Sequence, residues 1–155
     1  MKIIITNNLR LKIASNKNRK ISVPLFGIVK KTIDGFIYVK ISNDVINGMF
    51  SMIDEDGIEK PPYNTNEMNN VGAHISLIHS DEFPKDDIFT DSGRKVSFKL
   101  GNFYSVKPDG WDEVKRVWFL EVESPDMESI RSKYGLSKKK DGHEFHLTIA
   151  VKYKD

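Results

Sequence analysis

Two short stretches of the chain set an imidazole and a hydroxyl two residues apart within an apolar alternation: His74-Ile75-Ser76-Leu77 and His146-Leu147-Thr148-Ile149. In an extended strand, residues i and i+2 share a face. His74 therefore stands beside Ser76 and His146 beside Thr148, while Ile75, Leu77, Leu147 and Ile149 turn the other way. An imidazole has an ordinary pKa of about 6.5 and can accept or release a proton near neutrality. Two of them supply what cleavage of a phosphodiester needs. One takes the proton from the attacking oxygen and the other gives a proton to the leaving oxygen, each transfer contributing about 10²–10⁴-fold. The hydroxyls would donate hydrogen bonds to the non-bridging oxygens, where charge grows in the transition state. The candidate catalytic set is His74, Ser76, His146 and Thr148, with the order of base and acid left open by their near symmetry.

With a ribose 2′-hydroxyl as nucleophile, one histidine would activate it for in-line attack and the other would protonate the departing 5′-oxygen. A 2′,3′-cyclic phosphate would form first. The remaining histidines, His79 and His143, are out of phase with the two faces and read as strand-end or loop residues. The chain has no cysteine, which excludes disulfides, thiolate zinc sites and cysteine nucleophiles. Nor does any His-x-x-x-His spacing point to zinc. No metal and no cofactor is expected.

The two motifs recur at the same place in a repeated order of elements: strand, Ser-x-Asp, helix, polar loop, strand with a histidine. "FIYVKISNDVINGMFSMI" leads to "AHISLI", and "VWFLEVESPDMESIRSKYG" leads to "EFHLTIAV". The first helix has Ser42, Asn43 or Asp44 available as its cap, and apolar residues at helical spacing from Val45 to Ile53. The second has Ser124 as N-cap, Pro125 at its first position, Asp126 and Glu128 in its first turn and Gly135 as its stop. Between the copies, "RKVSFKL" and "FYSV" are expected to pair as a hairpin about Gly101 and Asn102. The opening residues, 1–35, form an N-terminal extension, partly stranded, with a basic loop "SNKNRK". A single domain of 155 residues is expected, with 36–80 carrying the first motif and 114–153 the second.

Composition narrows the partners. A net charge of +2 argues against a global grip on a polyanion, so any nucleic-acid contact is expected to be local. The only apolar run near the start is three residues, too short for a membrane span, and a cytoplasmic setting is expected. No protein partner is indicated. For substrate binding, Tyr104 and Trp111 lie between the two copies and could stack a nucleobase, as could Tyr63 in "PPYN". Taken singly, each of these aromatics reads equally as packing. Trp118 in "VWFLEV" reads as core. Lys138, Lys139 and Lys140, shortly before His146, could steer a phosphate, or form a solvated turn.

The paired His-x-Ser/Thr motifs, each followed by an apolar residue, resemble those of the 2H phosphoesterases. The resemblance covers most of residues 36–153. It implies an α+β fold of two pseudo-symmetric lobes with antiparallel sheets around a central cleft, and metal-independent phosphodiester chemistry. "YVKISNDVINGMFSMI", "EKPPYN" and "GAHISLI" resemble, more narrowly, the bacteriophage anti-CBASS nucleases. That likeness implies a cyclic oligonucleotide substrate, a role in immune evasion and the host cytoplasm as the place of action. A 2′,3′-cyclic phosphodiesterase acting on RNA ends, or a module that sequesters a nucleotide without turnover, are the alternatives.

Overall fold

The computed structural model describes residues 25–61, 71–82 and 88–155. Seven strands form one antiparallel sheet in the order β3-β7-β6-β5-β1-β2-β4. They are β1 (Leu25–Lys31), β2 (Ile37–Lys40), β3 (Ile58–Glu59), β4 (His74–Ile78), β5 (Lys95–Val106), β6 (Val114–Glu123) and β7 (Phe145–Tyr153). Two helices follow strands, α1 (Asn43–Phe50) after β2 and α2 (Pro125–Lys133) after β6. The fold is α+β, with helices packed on an antiparallel sheet.

The repeat is longer than the sequence order suggests. Each half reads strand, strand, helix, strand: β1-β2-α1-β4 and β5-β6-α2-β7, with the short β3 added on the outer side of β7. The first strands of the two halves, β1 and β5, pair with each other, so the sheet runs outward in matching order on either side of that seam. Leu25–Lys31, assigned from sequence to the N-terminal extension, is thus an inner strand between β5 and β2.

The expected hairpin at Gly101 and Asn102 does not form, because β5 runs straight through them as one twelve-residue strand. A two-residue reversal needs positive φ, and Gly101 is not among the positive-φ glycines. Here the glycine accommodates an irregularity in the β5–β6 register between Leu100 and Phe103. A Cβ at Gly101 would come within 3.3 Å of the Glu121 Cβ and carbonyl oxygen. This strand also unites what was expected as two sheets: its first part pairs with β1 and its later part with β6.

Alternation decides which face is buried. Val29, Val39 and Ile75 stand in one cross-strand row and are fully buried, as are Leu120 and Leu147 in the other half. These side chains join Ile46 of α1 and Met127 and Ile130 of α2 in one apolar cluster, which includes the fully buried-strand Trp118. Burying each such side chain contributes about 1.5–3 kcal/mol. Both helices begin as their sequences direct. Ser42 accepts from the Asp44 N–H, and Ser124 accepts from the Met127 N–H at 3.1 Å while donating to the Ser97 carbonyl at 2.7 Å.

Candidate active site

The core packing of β4 and β7 leaves the opposite face of each strand to the motif side chains. His74 and Ser76 are half-buried, Thr148 is half-buried and His146 is exposed, whereas Ile75, Leu77, Phe145, Leu147 and Ile149 are buried. The sheet curls so that β4 comes against β7. His74 feels the charge of His146, so the two imidazoles share one electrostatic environment.

The two motifs sit in equivalent frames. In the first half His74 lies opposite Lys40 and Ser76 opposite Tyr38; in the second His146 lies opposite Glu121 and Thr148 opposite Phe119. Each histidine has an aromatic edge contact from the neighbouring strand. His74 meets Tyr38 at 5.6 Å and Phe36 at 5.7 Å, and His146 meets Phe119 at 5.5 Å, all edge-on. Such contacts restrict ring rotation and hold the imidazole plane.

Backbone interactions fix the orientation further. His74 Nδ1 lies 2.9 Å from the Gly72 carbonyl oxygen, and because a carbonyl only accepts, this nitrogen is the donor. In the neutral ring, Nε2 is then the lone-pair nitrogen, suited to remove a proton. The Gly72 carbonyl is itself placed by a left-handed backbone, φ +68°, and by Asn43, whose Oδ1 accepts the Ala73 N–H at 2.8 Å. His146 is supported by the backbone of Glu144, likewise two residues before it. Burial is the first influence on both histidines and pushes their pKa values below 6.5; the backbone partners oppose it without reversing it. His146 combines an exposed edge with dense protein around the rest of the ring, as a concave surface allows, and the nearby His79 and His143 lower its pKa further.

A cavity of about 160 Å³ opens beside Ser76 and His146, walled by Leu77, Phe145, His79, His143, Arg131 and the Lys140–Glu144 turn. His79 and His143, set aside on strand phase, therefore stand at the site. Phase holds only within a strand, and these two lie just beyond the end of β4 and just before β7, where the backbone has left the alternation. Arg131 was also missed. It is 1% exposed and ties the halves together: Nη1 and Nη2 grip Glu82 at 3.0 and 2.6 Å, Nη1 reaches the Leu77 carbonyl at 2.9 Å, and Nε reaches the Ser137 carbonyl at 2.7 Å. Its signal in the sequence is a charge on the apolar stripe of α2, in step with Met127 and Ile130.

The expected substrate-binding residues divide. Tyr104 lies within β5 rather than in a loop, opposite Phe119, with ring centroids 5.8 Å apart, and so is two strands from Thr148 on the same face. Lys140 lines the cavity and pairs with Asp81 at 3.5 Å, and Lys139 pairs with Glu144 at 2.8 Å. Neither Lys138 nor Trp111 is brought to the cavity; Trp111 is exposed in the β5–β6 connection. Trp118 is buried in the core, as its place in β6 suggested. Tyr63 lies outside the described residues. Among the described residues, no group of three or more His, Asp or Glu is arranged to hold a metal ion, and no helix is long and apolar enough to cross a membrane.

No curated protein and no solved structure matches the chain. A family model described as "Swiss Army Knife, 2H phosphoesterase domain" matches residues 37–155, a span that contains both His-x-Ser/Thr motifs and all of the repeat except β1. The chain belongs to the 2H phosphoesterase family.

Proposed function

We propose that the protein is a metal-independent phosphodiesterase acting on RNA-like nucleotides, with cyclic oligonucleotide signals as its substrates. The observation that carries the reading is the duplicated frame around His74 and His146: an imidazole beside a hydroxyl, held by an aromatic edge and by the backbone two residues earlier, in both halves. In this reading β4 and β7 are the walls of a cleft between two lobes. His74 Nε2 removes the proton from a ribose 2′-hydroxyl. His146 protonates the 5′-oxygen as its bond to phosphorus breaks, leaving a 2′,3′-cyclic phosphate. Ser76 and Thr148 donate to the non-bridging oxygens. Water then opens the cyclic ester with the two histidines exchanging roles, as microscopic reversibility requires.

The cyclic oligonucleotide substrate and a counter-defence role for a bacteriophage rest on the likeness of the first motif region to the anti-CBASS nucleases. The cavity beside Ser76 and His146, with its imidazole and phenyl walls, suits one nucleoside of such a substrate. Incubation with cyclic di- and trinucleotides and with 2′,3′-cyclic mononucleotides, with products identified by mass, tests the reading. Opening of the cyclic oligonucleotides supports it; turnover of only the mononucleotides moves the substrate to RNA ends; tight binding without turnover makes the protein a sequestering module.

A further inference from the structure

We infer that the sheet face leading away from His74 is a binding track for a linear single-stranded oligonucleotide, a substrate class beyond the cyclic signals proposed above. The inference rests on the phosphodiesterase reading only for what happens at the His74 end of the track. Its basis is a row set by strand register. Lys95 on β5 lies opposite Ile28 on β1, Ile28 lies opposite Lys40 on β2, and Lys40 lies opposite His74 on β4. Residues paired in this way share a face, so the row crosses four strands and places Lys95 about 14 Å from His74 at the usual strand spacing of about 4.8 Å. The next row adds Lys30 opposite Tyr38, which is itself opposite Ser76.

Three features fit a phosphodiester chain. Lys30, Lys40 and Lys95 are exposed, and none of the ion pairs among the described residues involves them. Phe26, on the same face of β1, is 48% exposed with Lys95 Nζ 4.2 Å from its ring centroid, an aromatic platform beside a cation. Cationic tracks with exposed aromatics are how proteins hold single strands without reading sequence. The third feature is asymmetry. The position matching Lys40 in the other half is Glu121, opposite His146, with Glu123 further along the same strand. A polyanion is therefore drawn to the His74 side and repelled from the other. The carboxylate closest to the track, Asp126, is engaged by the Ser97 N–H and Oγ at 2.9 and 3.1 Å.

The test uses a catalytically silenced full chain, H74A/H146A, and fluorescent linear RNA of two, four, six and eight nucleotides, with binding read by anisotropy at several salt concentrations. Three phosphate contacts contribute a slope of about −2 in log K against log salt, or about a 20-fold loss between 50 and 200 mM. Affinity is expected to rise from two to six nucleotides, and K30Q/K40Q/K95Q is expected to reduce the slope by about 2. A charge reversal at the far end alone, K95E, should weaken the six-nucleotide strand more than the dinucleotide. Length-independent binding, or an unchanged slope in the triple variant, overturns the track. Failure of the unmodified chain to cleave any substrate overturns the catalytic reading and leaves the binding result standing.

Discussion

Arg131 is the side chain whose removal should tell most about how the two halves are held. It is almost completely buried, its guanidinium makes four hydrogen bonds, and its carboxylate partner Glu82 is only 14% exposed. Replacing it with alanine leaves the Glu82 carboxylate and the Leu77 and Ser137 carbonyls without these donors in a place water reaches poorly. Breaking a buried pair in this way costs about 3–5 kcal/mol. For a chain of this size each kcal/mol lowers Tm by about 2–4 °C, so R131A should melt about 6–20 °C below the parent. The double variant R131M/E82L removes both charges together and should recover most of that loss.

The acid dependence gives a second check. Burial raises the Glu82 pKa, but hydrogen bonds from Arg131 and the His79 N–H, with the Arg131 charge, outweigh it and hold the group below 4.5. A carboxyl whose folded pKa is depressed contributes stability above its unfolded value and loses it as pH falls through the folded value. The gap between parent and R131A should therefore narrow below about pH 4.5. Urea unfolding followed by circular dichroism across pH 3–7 measures both effects. A loss under about 1 kcal/mol at pH 7, or a gap that widens in acid, would refute the assignment of Arg131 as the buried tie.

Further outcomes follow from the site. Both histidines are depressed below 6.5 by burial, and coupling between them spreads their titrations, so the kcat/KM profile should be bell-shaped with its optimum on the acid side of 6.5. The same shifts mean that the unfolded chain binds protons more readily just below 6.5, so stability should fall as pH drops through that value, a trend that H74A/H146A should lessen in equilibrium unfolding. Ser76→Ala and Thr148→Val should each lower kcat by about 10²–10³ with a smaller change in KM, as expected of donors that act on transition-state charge. Gly27→Ala should destabilise the chain by about 1–3 kcal/mol in thermal melts, because the added Cβ would collide with Val39 and approach the Lys40 carbonyl oxygen to 2.8 Å.

The most legible parts of the molecule were those in which local chemistry and the fold agree. Ser124 and Pro125 start α2 where their types demand, and the alternation around His146 places Leu147 and Ile149 in the core. What escaped was set by partners distant in sequence. The strand Leu25–Lys31 shows no clean alternation, because Phe26 and Ile28 lie on the outer face, and pairing with β2 and β5 is what defines it. Gly101 and Asn102 resemble a reversal, yet β6 continues alongside and keeps the strand extended. His79 and His143 reach the cavity because the chain leaves strand geometry just before them or just after them, a change that periodicity does not encode. The Arg131–Glu82 tie spans 49 positions, and only the misplaced charge on the apolar stripe of α2 announced it.

The central claim is that two imidazoles perform the chemistry, one from each half. The direct measurement is single-turnover cleavage of a cyclic dinucleotide and a cyclic trinucleotide by the parent chain, H74A, H146A and the double variant, in buffer containing EDTA, with products followed by mass. The account predicts cleavage by the parent through a 2′,3′-cyclic phosphate intermediate, a loss of about 10²-fold or more in each single variant, and little further loss in the double variant, because residues that act as a unit are not additive. Undiminished cleavage by the double variant, or parent activity abolished by EDTA and restored by zinc, would contradict it.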